Sequence, residues 1–221
     1  MRFAVLEMFK DLSIRGDPAQ LDAFIDDLSA HLAPGWSRHL KGEKDLREMA
    51  LSVEDHQYAF RRKAGNGLPA AGLFLIRRKD RLDVTNIVPQ QARELSKAQY
   101  NAILDEFVDR NARPAAGRLG LMIELTPDRR PITHWLSEEA ARRLRNFSGA
   151  ANKGTGSSHP MDFQRWAAFL IQVHREGAAL DSGTLQQWLI EEEGWPEEKA
   201  VDLTIQFEFA RDLLKAYDAE R

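Results

Sequence analysis

The most chemically suggestive stretch of this 221-residue chain is a polar loop between positions 152 and 159. It reads Asn-Lys-Gly-Thr-Gly-Ser-Ser-His and leads into Pro160, which favours the first turn of a helix. Backbone N–H groups, hydroxyls, a lysine and a helix N-terminus are the parts of an anion site. The sequence therefore offers one set of candidate phosphate ligands: Lys153, Thr155, Ser157, Ser158 and His159.

The same loop has an alternative interpretation as a flexible connector. A P-loop needs lysine directly after the second glycine and a strand before the first, but Gly154 is followed by Thr155. Gly- and Ser-rich composition is typical of linkers between structural units. The sequence favours the connector, and an enzyme or ligand-binding protein acting on a phosphate-bearing or nucleic-acid substrate at residues 152–159 is the alternative function.

Histidines and serines give no complete catalytic or metal site. His134 and Glu138 are four residues apart, and His159 and Asp162 are three apart, which are spacings that suit pairs of ligands. Neither pair has a third ligand nearby, and no nucleophile elbow occurs. The chain has no cysteine, which excludes thiol catalysis and Cys-ligated metals. We predict no catalytic residues, no metal and no cofactor.

Basic runs raise the possibility of nucleic-acid binding. They occur at 61–63, 77–81 and 129–130. In an antiparallel meander the first two runs fall at opposite ends of the strands, so they do not form one patch, and no aromatic residues alternate with them. Nucleic acid is therefore the weakest of the partner hypotheses.

Aromatic residues beside acidic runs suggest a protein interface in the last third of the chain. Residues 148–221 hold 7 basic and 13 acidic residues, a net charge of −6, whereas residues 1–147 hold 24 and 21, a net charge of +3. Large aromatics are favoured anchors of interfaces, and acidic neighbours suit a basic partner. The candidate interface residues are Trp188, Trp195, Phe207, Phe209 and Tyr217. The alternative is that this segment is simply the centre of a helical bundle.

The segment 201–209 alternates apolar and polar residues and is compatible with a strand. At 100° per residue, however, the apolar positions from Val201 to Tyr217 fall within one broad arc of a helix. No Gly or Pro interrupts residues 197–221. We therefore predict a helix over about 196–218, following helices near 160–176 and 182–193.

The elements upstream predict an α+β fold. A strand over residues 3–14 precedes a helix over 18–32, which Asp17 and Gln20 begin with a capping box. Three strands, at 57–63, 71–78 and 82–88, form a meander. A second capping box at Ser96 starts another helix, and a strand over 119–125 follows. We predict an antiparallel or mixed sheet domain over 1–130 and an all-helical subdomain over 131–221, which contains the polar loop 148–159.

The apolar runs are short. The first breaks at Glu7, and the longest, Leu68–Ile76, is well below the roughly 20 residues that span a bilayer. We expect a cytoplasmic protein without a membrane partner. The Ala- and Arg-rich composition suggests a bacterial source. The leading hypothesis is a non-catalytic protein-binding protein, such as an inhibitor, an immunity protein or antitoxin, or an assembly component, whose acidic helical third binds a protein partner or a second copy.

Overall fold

The computed structural model describes residues 5–49, 56–91, 94–155 and 159–220. The chain divides into two compact units. Residues 8–128 form the first, which we call the sheet unit. Residues 1–7 and 129–221 form the second, the helical unit.

Eight strands occur in the described residues: β1 (Val5–Glu7), β2 (Leu12–Arg15), β3 (Trp36–Arg38), β4 (Gln57–Arg62), β5 (Ala71–Arg77), β6 (Arg81–Pro89), β7 (Met122–Leu125) and β8 (Arg129–Pro131). Six of them make one antiparallel sheet in the order β3-β4-β5-β6-β2-β7. The predicted meander is therefore confirmed as β4-β5-β6.

Alternation along the strands determines which face of this sheet is buried. Phe60 on β4 lies opposite Leu73 on β5, which lies opposite Ile87 on β6. All three side chains are almost fully buried. A shift of one residue in any strand would turn its apolar set outward, so the core specifies the register.

Eight α-helices occur in the described residues: α1 (Pro18–Ala30), α2 (Leu40–Met49), α3 (Lys97–Phe107), α4 (Arg113–Leu119), α5 (Glu138–Ala150), α6 (Pro160–Glu176), α7 (Ser182–Gln187) and α8 (Glu197–Ala219). Both predicted capping boxes are present, at Asp17 with Gln20 and at Ser96 with Gln99. Each box satisfies backbone donors that a helix start leaves unpaired.

The core of the sheet unit forms between helices and the buried face of the sheet. Leu21, Phe24 and Leu28 repeat along one side of α1 and join the same hydrophobic cluster as Phe107 of α3. The ring of Phe107 lies 5.6 Å from that of Phe60. The structure thus confirms the predicted α+β class, with an antiparallel sheet.

The helical unit contains an aromatic core and one small sheet. β1 pairs with β8, which places Leu6, fully buried, beside the π-helical turn Trp188–Glu192. The ring of Phe147 on α5 lies 4.8 Å from Trp166 on α6 and 5.6 Å from Trp195. Aromatic pairs at these distances add to the stabilisation that burial provides.

The boundaries near the start of the chain differ from the sequence-based expectation, and the strand expected over 119–125 begins only at Met122, because α4 continues to Leu119. The single strand expected over 3–14 is interrupted after Glu7, because the N–H groups of Met8 and Lys10 bond to Asp128 and Asn101 instead of continuing a ladder. Residues 3 and 4 lie outside the described residues. The predicted sheet domain included β1, whereas β1 lies in the helical unit because its partner is β8.

The polar loop begins later than residue 148. Helix α5 continues to Ala150, and Ser148 is fully buried within it. The Ser148 hydroxyl accepts a hydrogen bond from Trp195 Nε1 at 2.8 Å and donates to Glu193 Oε2 at 2.7 Å. A serine with these partners stays in a helix core, although its polarity suggested a loop.

Candidate functional site

The lysine of the polar loop binds within the protein. Lys153 Nζ donates to the backbone carbonyl of Glu193 and lies 3.6 Å from Oε2 of the same residue. These contacts attach the loop to the chain that precedes α8. The charge of Lys153 is therefore already paired with a carboxylate.

Other donors of the loop are also engaged. The side-chain oxygen of Asn152 accepts from the backbone N–H groups of Gly154, at 3.0 Å, and Thr155, at 3.3 Å. His159 is the N-cap of α6, and its Nδ1 accepts from the N–H of Met161 at 3.1 Å. Ser157 and Ser158 lie outside the described residues. An Asx turn and a histidine cap satisfy these groups without an anion.

Two other histidine contacts are internal. His134 stacks edge-on against Trp135 with 5.0 Å between ring centroids. His174 Nε2 lies 2.7 Å from Asp218 Oδ2. Within the part of the chain that is described, no three His, Asp or Glu residues are grouped closely enough to hold a metal ion.

Two of the basic runs are partly occupied by internal bonds. Arg62 is 3% exposed and lies 2.7 Å from Glu106. Arg77 donates to the backbone carbonyl of Pro18 and lies 3.5 Å from Asp22. These arginines stabilise the sheet unit, and nucleic-acid binding gains no support from them.

The structure separates the five candidate interface aromatics into two groups. Trp188, Trp195 and Phe207 are at most 2% exposed and belong to the core of the helical unit. Phe209 and Tyr217 are 68% and 55% exposed. Only the second pair lies on a surface where another chain can make contact.

Two further residues complete the exposed set. Ile205 and Leu213 are 60% and 54% exposed, so large apolar side chains recur every fourth residue along α8. Residues four apart on a helix are neighbours on one face. We call this row the α8 ridge; its members are Ile205, Phe209, Leu213 and Tyr217. The spacing of four is visible in the sequence, in which Phe209 and Tyr217 were interface candidates but Ile205 and Leu213 were not.

The distal part of α8 extends beyond the packed core. Its buried residues are Ala200, Leu203, Thr204 and Phe207, and no described residue from 211 to 220 is buried. Acidic side chains border the α8 ridge at Asp202, Glu208 and Asp212, all of them exposed. The arrangement is an exposed apolar row with acidic residues beside it.

The fold and this surface define an α+β protein with a helical unit that presents an apolar, acidic-bordered helix. The family model described as a domain of unknown function (DUF1889) matches residues 138–209, about a third of the chain. The matched segment runs from the start of α5 to Phe209 in α8. No curated protein and no solved structure matches the chain.

Among the described residues, none of the helices combines the length and the apolar character that crossing a bilayer requires.

Proposed function

We propose that the helical unit is a protein-binding module that uses the α8 ridge. The observation that carries the proposal is the row of four large apolar side chains, each more than half exposed, along one face of α8. Apolar residues grouped on a surface mark interaction sites more often than isolated ones do. Phe209 and Tyr217 are the expected anchors because aromatic residues dominate interface energetics.

The border of the α8 ridge favours a partner of positive charge. Asp202, Glu208 and Asp212 stand beside the ridge, and residues 148–221 carry a net charge of −6. Complementary charges at an interface rim accelerate association and select partners. The proposed occupant is therefore a basic amphipathic segment of another protein, and its binding should weaken as salt concentration rises.

The test compares the wild-type chain with a Phe209→Asp/Leu213→Asp variant by affinity purification from the native host with quantitative mass spectrometry. We expect the recovered amount of a co-purifying protein to fall by at least about tenfold in the variant, because two interface anchors commonly contribute more than about 1.4 kcal/mol of binding free energy. Met122→Asp is the matched control, since Met122 is 62% exposed on β7 in the sheet unit.

Light scattering of the wild-type chain and the double variant in solution measures their oligomeric state. A dimer that dissociates in the double variant would identify the occupant as a second copy of this chain. A monomer whose co-purifying proteins are the same for wild type and double variant would refute the proposal.

The phosphate-site alternative at residues 152–159 has less support, because Lys153 is paired with Glu193. A cytoplasmic location and a bacterial source stay predictions from composition.

A further inference from the structure

A cleft of about 420 Å³ in the helical unit lies beside the C-terminal end of α6 and against α8. Its floor is apolar and consists of Leu170, Val173, Leu180 and Phe207. The last three are at most 6% exposed and belong to the packed core, whereas Leu170 is partly exposed. A cleft of this size falls in the range of small-molecule sites, roughly 300 to 1,000 Å³.

A glycine shapes one wall of the cleft. Gly177 ends α6 with a left-handed φ of 58°, a conformation that favours glycine. The chain then turns along the cleft through Ala178 and Ala179. These side chains are small, and they leave room between the turn and α8.

Two cations on consecutive turns of α8 line the other side. Arg211 and Lys215 are four residues apart, and both border the cleft. The Arg211 guanidinium lies 5.9 Å from the Phe207 ring centroid. Its Nε is buried and has no hydrogen-bond partner in the described residues. The Asp212 Oδ1 atom lies 3.8 Å from this Nε. Lys215 forms no ion pair with any described residue. Both cations can therefore bind a ligand.

The acids near the cleft are hydrogen-bonded to neighbouring groups. Both carboxylate oxygens of Asp181 accept bonds from Thr184, one from its N–H and one from its hydroxyl, each at 2.8 Å. Burial raises the pKa of the Asp181 carboxyl, but these hydrogen bonds outweigh burial and the pKa is lowered overall. Asp218 is paired with His174, which also borders the cleft.

We infer that this cleft binds an organic carboxylate with an apolar body, such as an aryl or branched acyl acid. Arg211 provides a planar pair of donors that matches a carboxylate, and Lys215 adds a point charge. The apolar body lies against Leu170, Ala178 and Ala179, the apolar lining residues that keep accessible surface, and displaces water from them.

This site is independent of the proposed protein interface. At 100° per residue, Arg211 and Lys215 lie on the side of α8 roughly opposite the α8 ridge. A ligand in the cleft and a protein on the ridge would occupy different faces of one helix. A negative result for one of the two sites would therefore not argue against the other.

The test is a ¹⁵N NMR titration of the full chain with phenylacetate and, in parallel, with the uncharged analogue phenylacetamide. We expect saturable shifts at Gly177, Ala178 and Ala179 with phenylacetate. The dissociation constant should rise about tenfold or more for phenylacetamide and for an Arg211→Gln/Lys215→Gln variant, because both remove the charge pairing. Lys199→Gln is the matched control: it removes one charge from α8 away from the cleft and should change the constant less than about twofold.

Circular dichroism would show that each variant keeps the helical fold. Three results would overturn the inference: no saturable shift at residues 177–181 with phenylacetate, equal affinity for the acid and the amide, or unchanged affinity in a folded Arg211→Gln/Lys215→Gln variant.

Discussion

Arg62 and Glu106 form an ion pair inside the sheet unit. Arg62 Nη2 lies 2.7 Å from Glu106 Oε2, and Trp36 Nε1 donates to the other carboxylate oxygen at 3.0 Å. Arg62 also donates to four backbone carbonyls between Lys63 and Pro69. The pair thus fixes the turn between β4 and β5 to α3.

Replacing one partner should cost much more than a surface pair would. Glu106→Gln leaves the Arg62 charge buried without its carboxylate, and we expect the free energy of unfolding to fall by about 3 kcal/mol. Asp109→Asn is the control, because Asp109 pairs with Arg113 at an exposed site, where the expected loss is below about 1 kcal/mol. Urea denaturation followed by circular dichroism measures both, and equal losses would contradict the role given to the buried pair.

The stability difference between the wild type and Glu106→Gln should also depend on pH. Burial raises the pKa of Glu106, but hydrogen bonds from Arg62 and Trp36 outweigh burial and lower it below its ordinary value of 4.5. A lowered folded-state pKa gives stability that is present above 4.5 and is lost as pH falls through the folded value. The stability gap between wild type and Glu106→Gln should therefore shrink in acid; a gap that widens would contradict this assignment.

At the level of the element, the alternating apolar pattern in α8 is compatible with either a strand or a helix. In a strand, Phe207 and Phe209 would share a face, because strand side chains alternate with a period of two. In the helix they lie 200° apart, and Phe207 is 1% exposed whereas Phe209 is 68% exposed. The two residues therefore have different physical roles.

This difference gives a direct test of the element. Phe207→Ala should lower the free energy of unfolding by about 3 to 5 kcal/mol, since it removes a buried ring and leaves a cavity. Phe209→Ala should change it by less than about 0.5 kcal/mol. Thermal or urea denaturation would distinguish the two, and similar losses for both variants would argue against the helix.

At the level of the whole molecule, the first strand of the chain folds with its last third. β1 pairs with β8, and the Glu7 carbonyl accepts a hydrogen bond from Gln187 at 2.9 Å. Leu6, the middle residue of β1, is fully buried. The helical unit therefore depends on residues that are far from it in sequence.

Leu6→Ala should destabilise the helical unit by about 2 to 5 kcal/mol, because it opens a cavity beside the π-helical turn after α7. Native-state hydrogen exchange would report faster exchange at the amides of α5 to α8. Glu7→Ala is the control on the same strand, since its side chain is exposed. If the helical amides of Leu6→Ala exchange at the wild-type rate, β1 does not stabilise this unit.

The sequence by itself determined the elements whose signals are local. Capping boxes at Asp17 and Ser96, the three meander strands and the helix at 160–176 depend on neighbours within a few residues, and the structure has them. The charge difference between the two parts of the chain is likewise a property of composition alone.

Tertiary structure decided which of the chemically suggestive residues are buried or paired and which stay exposed. Lys153 meets Glu193 forty residues away, and Trp188, Trp195 and Phe207 enter a core, whereas Ile205 and Leu213 stay exposed with Phe209 and Tyr217. The cleft at Arg211 and Lys215 likewise exists only where α6, the turn after it and α8 meet. Local sequence cannot specify such pairings, because burial and ion pairing depend on which distant segments the fold brings together.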